Sequence, residues 1–143
     1  MTSSFGLESL DATQALAARL FAALPPGSLL VLSGPLGAGK TTLTQALGAA
    51  LSSTAAVSSP TYTLVHEYPT PQGTLVHIDA YRLTSAADLL GLGLDDYLAR
   101  ARLVVVEWGE GLLETYPDAF HLELAFADDG NSGAARRATL HEP

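Results

Sequence analysis

The sequence predicts an α/β fold: one domain over residues 1–143, with a mixed, largely parallel central sheet flanked by helices. Three observations predict it. Leu29, Leu30, Val31 and Leu32 form a continuous apolar run, the pattern of a strand buried on both faces. Residues 34–41 then have the spacing G-x-x-x-x-G-K-T, and Leu43, Ala46, Leu47, Ala50 and Leu51 follow at helical spacing. A second apolar run, Leu103, Val104, Val105 and Val106, leads into Glu107 and Trp108, as a buried parallel strand delivering an acid to the sheet edge does. Strand, glycine-rich turn and helix in that order make a P-loop, and the fold class is that of the P-loop NTPases.

Each residue type in that turn has a mechanical reason. Gly34, Gly37 and Gly39 let the backbone turn tightly and aim its N–H groups at phosphate oxygens, with Ala38 and Thr42 completing the cradle. Lys40 puts a compact positive charge at the β- and γ-phosphates, and the Thr41 hydroxyl can ligate Mg²⁺. Six of the seven basic residues are arginines, so Lys40 is the only lysine, at the one position that needs a point charge rather than a planar fork. The start of the following helix adds its unpaired N–H groups and partial positive charge.

Taken in order, residues 5–10 read as a short first strand or an extended lead-in. Asp11 with Gln14 three residues on has the form of a capping box, opening a helix whose apolar face carries Leu16, Leu20, Phe21 and Leu24. Pro25, Pro26 and Gly27 stop it. Thr13, in its first turn, is either an ordinary helix-start residue or a nucleotide ligand, and stands among the candidate binding residues.

Residues 52–59, rich in Ala and Ser, read as a connection, and residues 59–68 as a loop running into an alternating strand. That segment is either a hairpin arm turning at residues 69–73 or a switch built on Ser59, Pro60, Thr61 and Tyr62, with Thr61 sensing the γ-phosphate and Mg²⁺. Residues 74–79 form the return strand, ending at Asp79. Residues 85–98 have helical character interrupted by Gly91 and Gly93. Gly91, Leu92 and Gly93 lack the third glycine of a dinucleotide fingerprint. Glu107, at the end of its apolar strand, is placed for a role beside Mg²⁺. Residues 121–126 and 137–141 alternate as strands around a turn at 128–133. His66, His77, His121 and His141 show no metal-ligand spacing and read as surface or ordinary strand residues.

Composition narrows the function. A hydrophobic content of 48% over 143 residues suffices for a real core. With no cysteine there are no disulfides or thiolate metal sites, which suits a reducing cytoplasm. Residues 1–4 lack a basic region followed by an apolar core, so no export signal is expected, and no apolar run approaches a membrane span. The net charge of −8, with seven basic residues against fifteen acidic, argues against a direct grip on tRNA or DNA. Any service to nucleic-acid chemistry is expected to pass through a partner.

The chain resembles the bacterial TsaE family, small P-loop ATPases needed for threonylcarbamoyladenosine formation in tRNA. The likeness covers nearly the whole chain and is carried by residues 34–42, by Ser59, Pro60, Thr61, Tyr62, Thr63 and Leu64, by Asp79, Ala80, Tyr81, Arg82 and Leu83, and by Val106, Glu107 and Trp108. It implies ATP with Mg²⁺ held by Thr41 and Glu107, and a catalytic or water-positioning role for Asp79. It also implies the partners TsaD and TsaB, through which tRNA is reached. Two positions depart from the family pattern. Gly109 follows the tryptophan where similar proteins carry Pro, and alanines follow Gly133 before Arg136 and Arg137, where the family often has a Gly-Arg pair. A nucleotide contact from that second region is therefore not expected.

Three other readings share the P-loop. A small-molecule kinase, the principal alternative, commonly carries several arginines in a lid, and here only Arg136 and Arg137 cluster. A GTP switch protein needs an Asn-Lys-x-Asp segment, yet Asn131 and Lys40 are the only residues of their types. A nucleotide-gated adaptor, in which hydrolysis is incidental, is separated from an ATPase by turnover with and without partners.

Overall fold

The computed structural model describes residues 2–7, 9–34, 43, 46, 65–79, 93–107, 112–126 and 136–143. Among them, seven strands form one sheet in the order β1-β7-β6-β2-β5-β4-β3. The strands are β1 (Thr2–Leu7), β2 (Ser28–Ser33), β3 (Val65–Thr70), β4 (Gly73–Asp79), β5 (Leu103–Glu107), β6 (Phe120–Phe126) and β7 (Arg136–His141). The four central strands β6, β2, β5 and β4 run parallel, and β3, β7 and β1 add antiparallel at the flanks. The mixed sheet is thus as expected, with its parallel part concentrated where the P-loop strand lies.

Composition explains which strands sit where. β2 and β5 are nearly pure aliphatic runs and are buried along their length, as central parallel strands must be. β6 alternates, with Leu122 and Leu124 inside and Glu123 and Ala125 exposed, because only one of its faces is covered there. Pro69 lies in β3, the last strand of the sheet, where a missing N–H disrupts no further ladder.

Helix α1 (Leu10–Ala23) packs Leu16, Ala17, Leu20 and the following Leu24 on one sheet face, in a cluster with Leu30, Leu32, Leu75 and Val105. Its N-cap is Ser9, whose side-chain oxygen accepts from the Ala12 N–H at 3.2 Å; the expected cap, Asp11, lies in the first turn instead. Leu43 and Ala46, both helical and buried, belong to the same cluster, so the helix after the P-loop covers that face too. The remaining positions of that helix lie outside the described residues. On the opposite face, α2 (Leu94–Arg100) and α3 (Leu112–Thr115) cover Leu29, Val31, Val104 and Val106. The Tyr116 hydroxyl donates to Asp95 Oδ1 at 2.7 Å and ties those two helices together. Of the helical character expected over 85–98, the described part begins only at Leu94, with Gly93 at φ 87° as its N-cap. The short α3 was not foreseen.

β7 pairs antiparallel with β6, as the alternation on either side of residues 128–133 leads one to expect, whereas the partner of β1 lies far away in sequence. β1 pairs antiparallel with β7, Thr2 opposite His141, which encloses nearly the whole chain in one sheet. Among the described residues no helix is long and apolar enough to cross a membrane.

Candidate functional site

The parallel strands β2, β5 and β4 all end on one side of the sheet, and three sequence signals meet there. Leu32 on β2 stands opposite Glu107 on β5, and Glu107 stands opposite Asp79 on β4. The two acids singled out from sequence are therefore register partners at neighbouring strand ends. β2 runs on into Gly34, the first residue of the P-loop motif.

Gly34 is fixed by what it touches. Its φ is +141°, and a Cβ there would stand 2.2 Å from the carbonyl oxygen of Leu124 on β6. Only glycine lets the chain leave β2 this close to the neighbouring backbone. The motif then continues through Gly37, Ala38, Gly39, Lys40, Thr41 and Thr42, which lie outside the described residues, to the helical positions Leu43 and Ala46. The switch candidates Ser59, Pro60, Thr61 and Tyr62 also lie outside them, as do Tyr81, Arg82 and Trp108.

Glu107 is 4% exposed. A carboxylate so far from water needs a partner, because desolvation strongly disfavours an isolated charge. His77 supplies it, its Nε2–H donating to Glu107 Oε2 at 2.5 Å. His77 is itself fully buried on β4, two residues before Asp79, and its Nδ1 has no hydrogen-bond partner among the described residues. The pair fixes the orientation of the acid at the strand end while one of its oxygens is engaged. Here the structure departs from the sequence reading of the histidines. His77 is neither a surface nor an ordinary strand residue but the neighbour that holds the site's acid. The available signal was a histidine inside an apolar strand pattern, Leu75, Val76, His77 and Ile78, where a polar ring demands a partner.

Thr13 is buried in the first turn of α1, and its hydroxyl donates to the Ser9 carbonyl at 3.4 Å. This contact is one that a threonine in a helix's first turn commonly makes. Ser33, the last residue of β2, bonds through its Oγ to His121 Nε2 at 2.7 Å, linking the stem of the P-loop to β6.

Chemically, the arrangement offers a buried, oriented carboxylate and a second acid in register with it, one strand from a phosphate-binding motif. A carboxylate oriented by a hydrogen-bonded neighbour has the donor chemistry of a group that could support a divalent cation.

Residues 7–138 match the family model described as threonylcarbamoyl adenosine biosynthesis protein TsaE. A Streptomyces coelicolor protein named tRNA threonylcarbamoyladenosine biosynthesis protein TsaE is 47% identical over 126 residues, covering 85% of this chain and 84% of its own. One of the same name from Nostoc sp. is 37% identical over 138 residues, covering 94% and 84%. Among solved structures, Bacillus subtilis YdiB superposes with a TM-score of 0.76 at 27% identity, over 99% of this chain and 86% of that one.

Proposed function

The chain belongs to the TsaE family, and from that premise we propose that it binds and hydrolyses ATP in support of threonylcarbamoyladenosine formation in tRNA, acting on a complex of TsaD and TsaB. The observation that carries the ATPase reading is the register of Asp79 with Glu107 at the C-terminal ends of parallel strands, beside the strand that ends at Gly34. Ligands of open α/β sheets bind at that edge.

The roles divide by position. Gly37, Ala38, Gly39 and Thr42 present backbone N–H groups to the phosphates, Lys40 neutralises the β- and γ-phosphates, and the Thr41 hydroxyl and Glu107 hold Mg²⁺. When bound, that ion would supply positive charge to offset the negative charge that develops on the phosphates. His77 is a positioning residue: by engaging Glu107 Oε2 it keeps the carboxylate turned to the strand end. Asp79 orients the attacking water. Thr13 contributes to the nucleotide pocket from α1, and Ser59, Pro60, Thr61 and Tyr62 act as a segment that responds to the γ-phosphate. With a net charge of −8 the chain has no independent hold on tRNA, so its output passes through the proteins it docks against, in the cytoplasm.

Equilibrium binding of ATP with and without Mg²⁺, followed by product analysis, tests this. Mg²⁺-dependent binding with inorganic phosphate as the product supports it. A phosphorylated small molecule as the product would replace it with the kinase reading.

A further inference from the structure

We propose that His121, Glu123 and His141 form a binding site for a single Zn²⁺-class divalent cation, separate from the Mg²⁺ position beside Glu107. β6 and β7 pair antiparallel with His121 opposite His141, and Glu123 follows two residues along β6 on the same face. The pairing brings ligand atoms of all three side chains within 4.8 Å of one another. Glu123 Oε1 lies 2.8 Å from His141 Nε2 and 4.0 Å from His121 Nδ1. Bonds of about 2.0–2.1 Å in a tetrahedral zinc site put neighbouring donors about 3.3 Å apart, between those two separations. The two rings stack, with centroids 5.4 Å apart and planes at 29°.

The outer ring nitrogens supply a second, independent observation. A metal-bound imidazole uses its other nitrogen as an N–H donor to oxygen, which fixes ring and tautomer. His121 Nε2 lies 2.7 Å from Ser33 Oγ, and His141 Nδ1 lies 3.4 Å from Thr2 Oγ1. In the tautomers that leave both hydroxyls accepting, His121 Nδ1 and His141 Nε2 turn lone pairs toward the Glu123 carboxylate, and a cation between them would satisfy all three groups. In keeping with this, His141 Nε2 is shielded from solvent and close to Glu123, yet outside hydrogen-bond geometry.

Donor chemistry selects the ion. Two imidazoles and one carboxylate suit Zn²⁺, Co²⁺ or Ni²⁺, whereas Mg²⁺ prefers oxygen donors and keeps its waters. Three protein donors leave a fourth position for water, and the half-exposed Glu123 gives it access. Through Ser33 the site also braces the residue before Gly34, at the stem of the phosphate-binding segment.

The test is calorimetric titration of Zn²⁺ into the untagged, chelator-stripped full chain in the presence of excess Mg²⁺. Wild type should bind one equivalent, and its Tm should rise on saturation. His121→Ala and His141→Ala should each weaken binding by at least about tenfold, while His66→Ala, at a histidine outside the cluster, leaves it unchanged. Glu123→Gln, at an exposed position that the fold tolerates, guards against loss by misfolding: it should keep the metal-free Tm and lose the Zn²⁺-induced rise. Absence of stoichiometric binding, equal affinity in wild type and the cluster variants, or displacement by Mg²⁺ would each overturn the proposal.

Discussion

His77 and Glu107 form a buried pair across β4 and β5, with the imidazole Nε2 2.5 Å from the carboxylate Oε2 and side chains 0% and 4% exposed as residues. Removing the ring leaves a carboxylate in the protein interior without its partner, and breaking such a pair costs about 3–5 kcal/mol. We expect His77→Ala to lose stability of that order in denaturant unfolding. Glu107→Gln should lose much less, because the amide oxygen still accepts from His77, yet it should weaken the Mg²⁺ dependence of ATP binding. If His77→Ala is as stable as wild type, the ring does not hold the acid.

Gly34→Ala should be disruptive despite its small size. The added Cβ meets a backbone carbonyl, Leu124 O, at 2.2 Å, and no rotamer change relieves that, while φ +141° already disfavours any side chain. A loss of at least about 2 kcal/mol in unfolding free energy is expected, with weakened nucleotide binding because the motif's entry moves. Unaltered stability would show that β2 and β6 can separate there without cost.

Lys40→Ala and Asp79→Ala should separate charge stabilisation from water positioning. Loss of one preorganised charged donor costs about 3–4 kcal/mol in the transition state, or roughly 10²–10³ in rate. Lys40→Ala should therefore nearly abolish turnover and weaken binding, with the far-ultraviolet spectrum unchanged. Asp79→Ala should bind nucleotide as wild type does and fail to turn it over. Normal hydrolysis by either variant removes the role assigned to that residue.

What could be read from sequence was what depends on local pattern. The runs ending at Leu32 and at Glu107 have the continuous apolar pattern of buried strands, and an acid closing such a run is placed at the sheet edge. The hairpin of β3 and β4 was legible because Pro69, Gly73 and the alternation around them leave few alternatives. Partnerships set by register were not legible. His77 meets Glu107 because β4 and β5 align in parallel thirty positions apart, and no spacing in the chain encodes that. His121 and His141 likewise meet across a strand pair, so their separation in sequence shows no ligand periodicity. The N-cap fell on Ser9 rather than Asp11 because both residue types cap well, and the choice was left to where β1 ends and which face of α1 packs.

The central claim is an ATPase whose output runs through protein partners, and steady-state ATP turnover tests it most directly. The purified chain should hydrolyse ATP slowly, since fast phosphoryl transfer usually needs a further positive group on the γ-phosphate, worth about 10³–10⁵ when supplied in trans. Adding TsaD, TsaB and tRNA should raise the rate by orders of magnitude, and Lys40→Ala should remain slow in the same mixture. A high rate for the chain alone that stays unchanged when the partners are added would contradict the account.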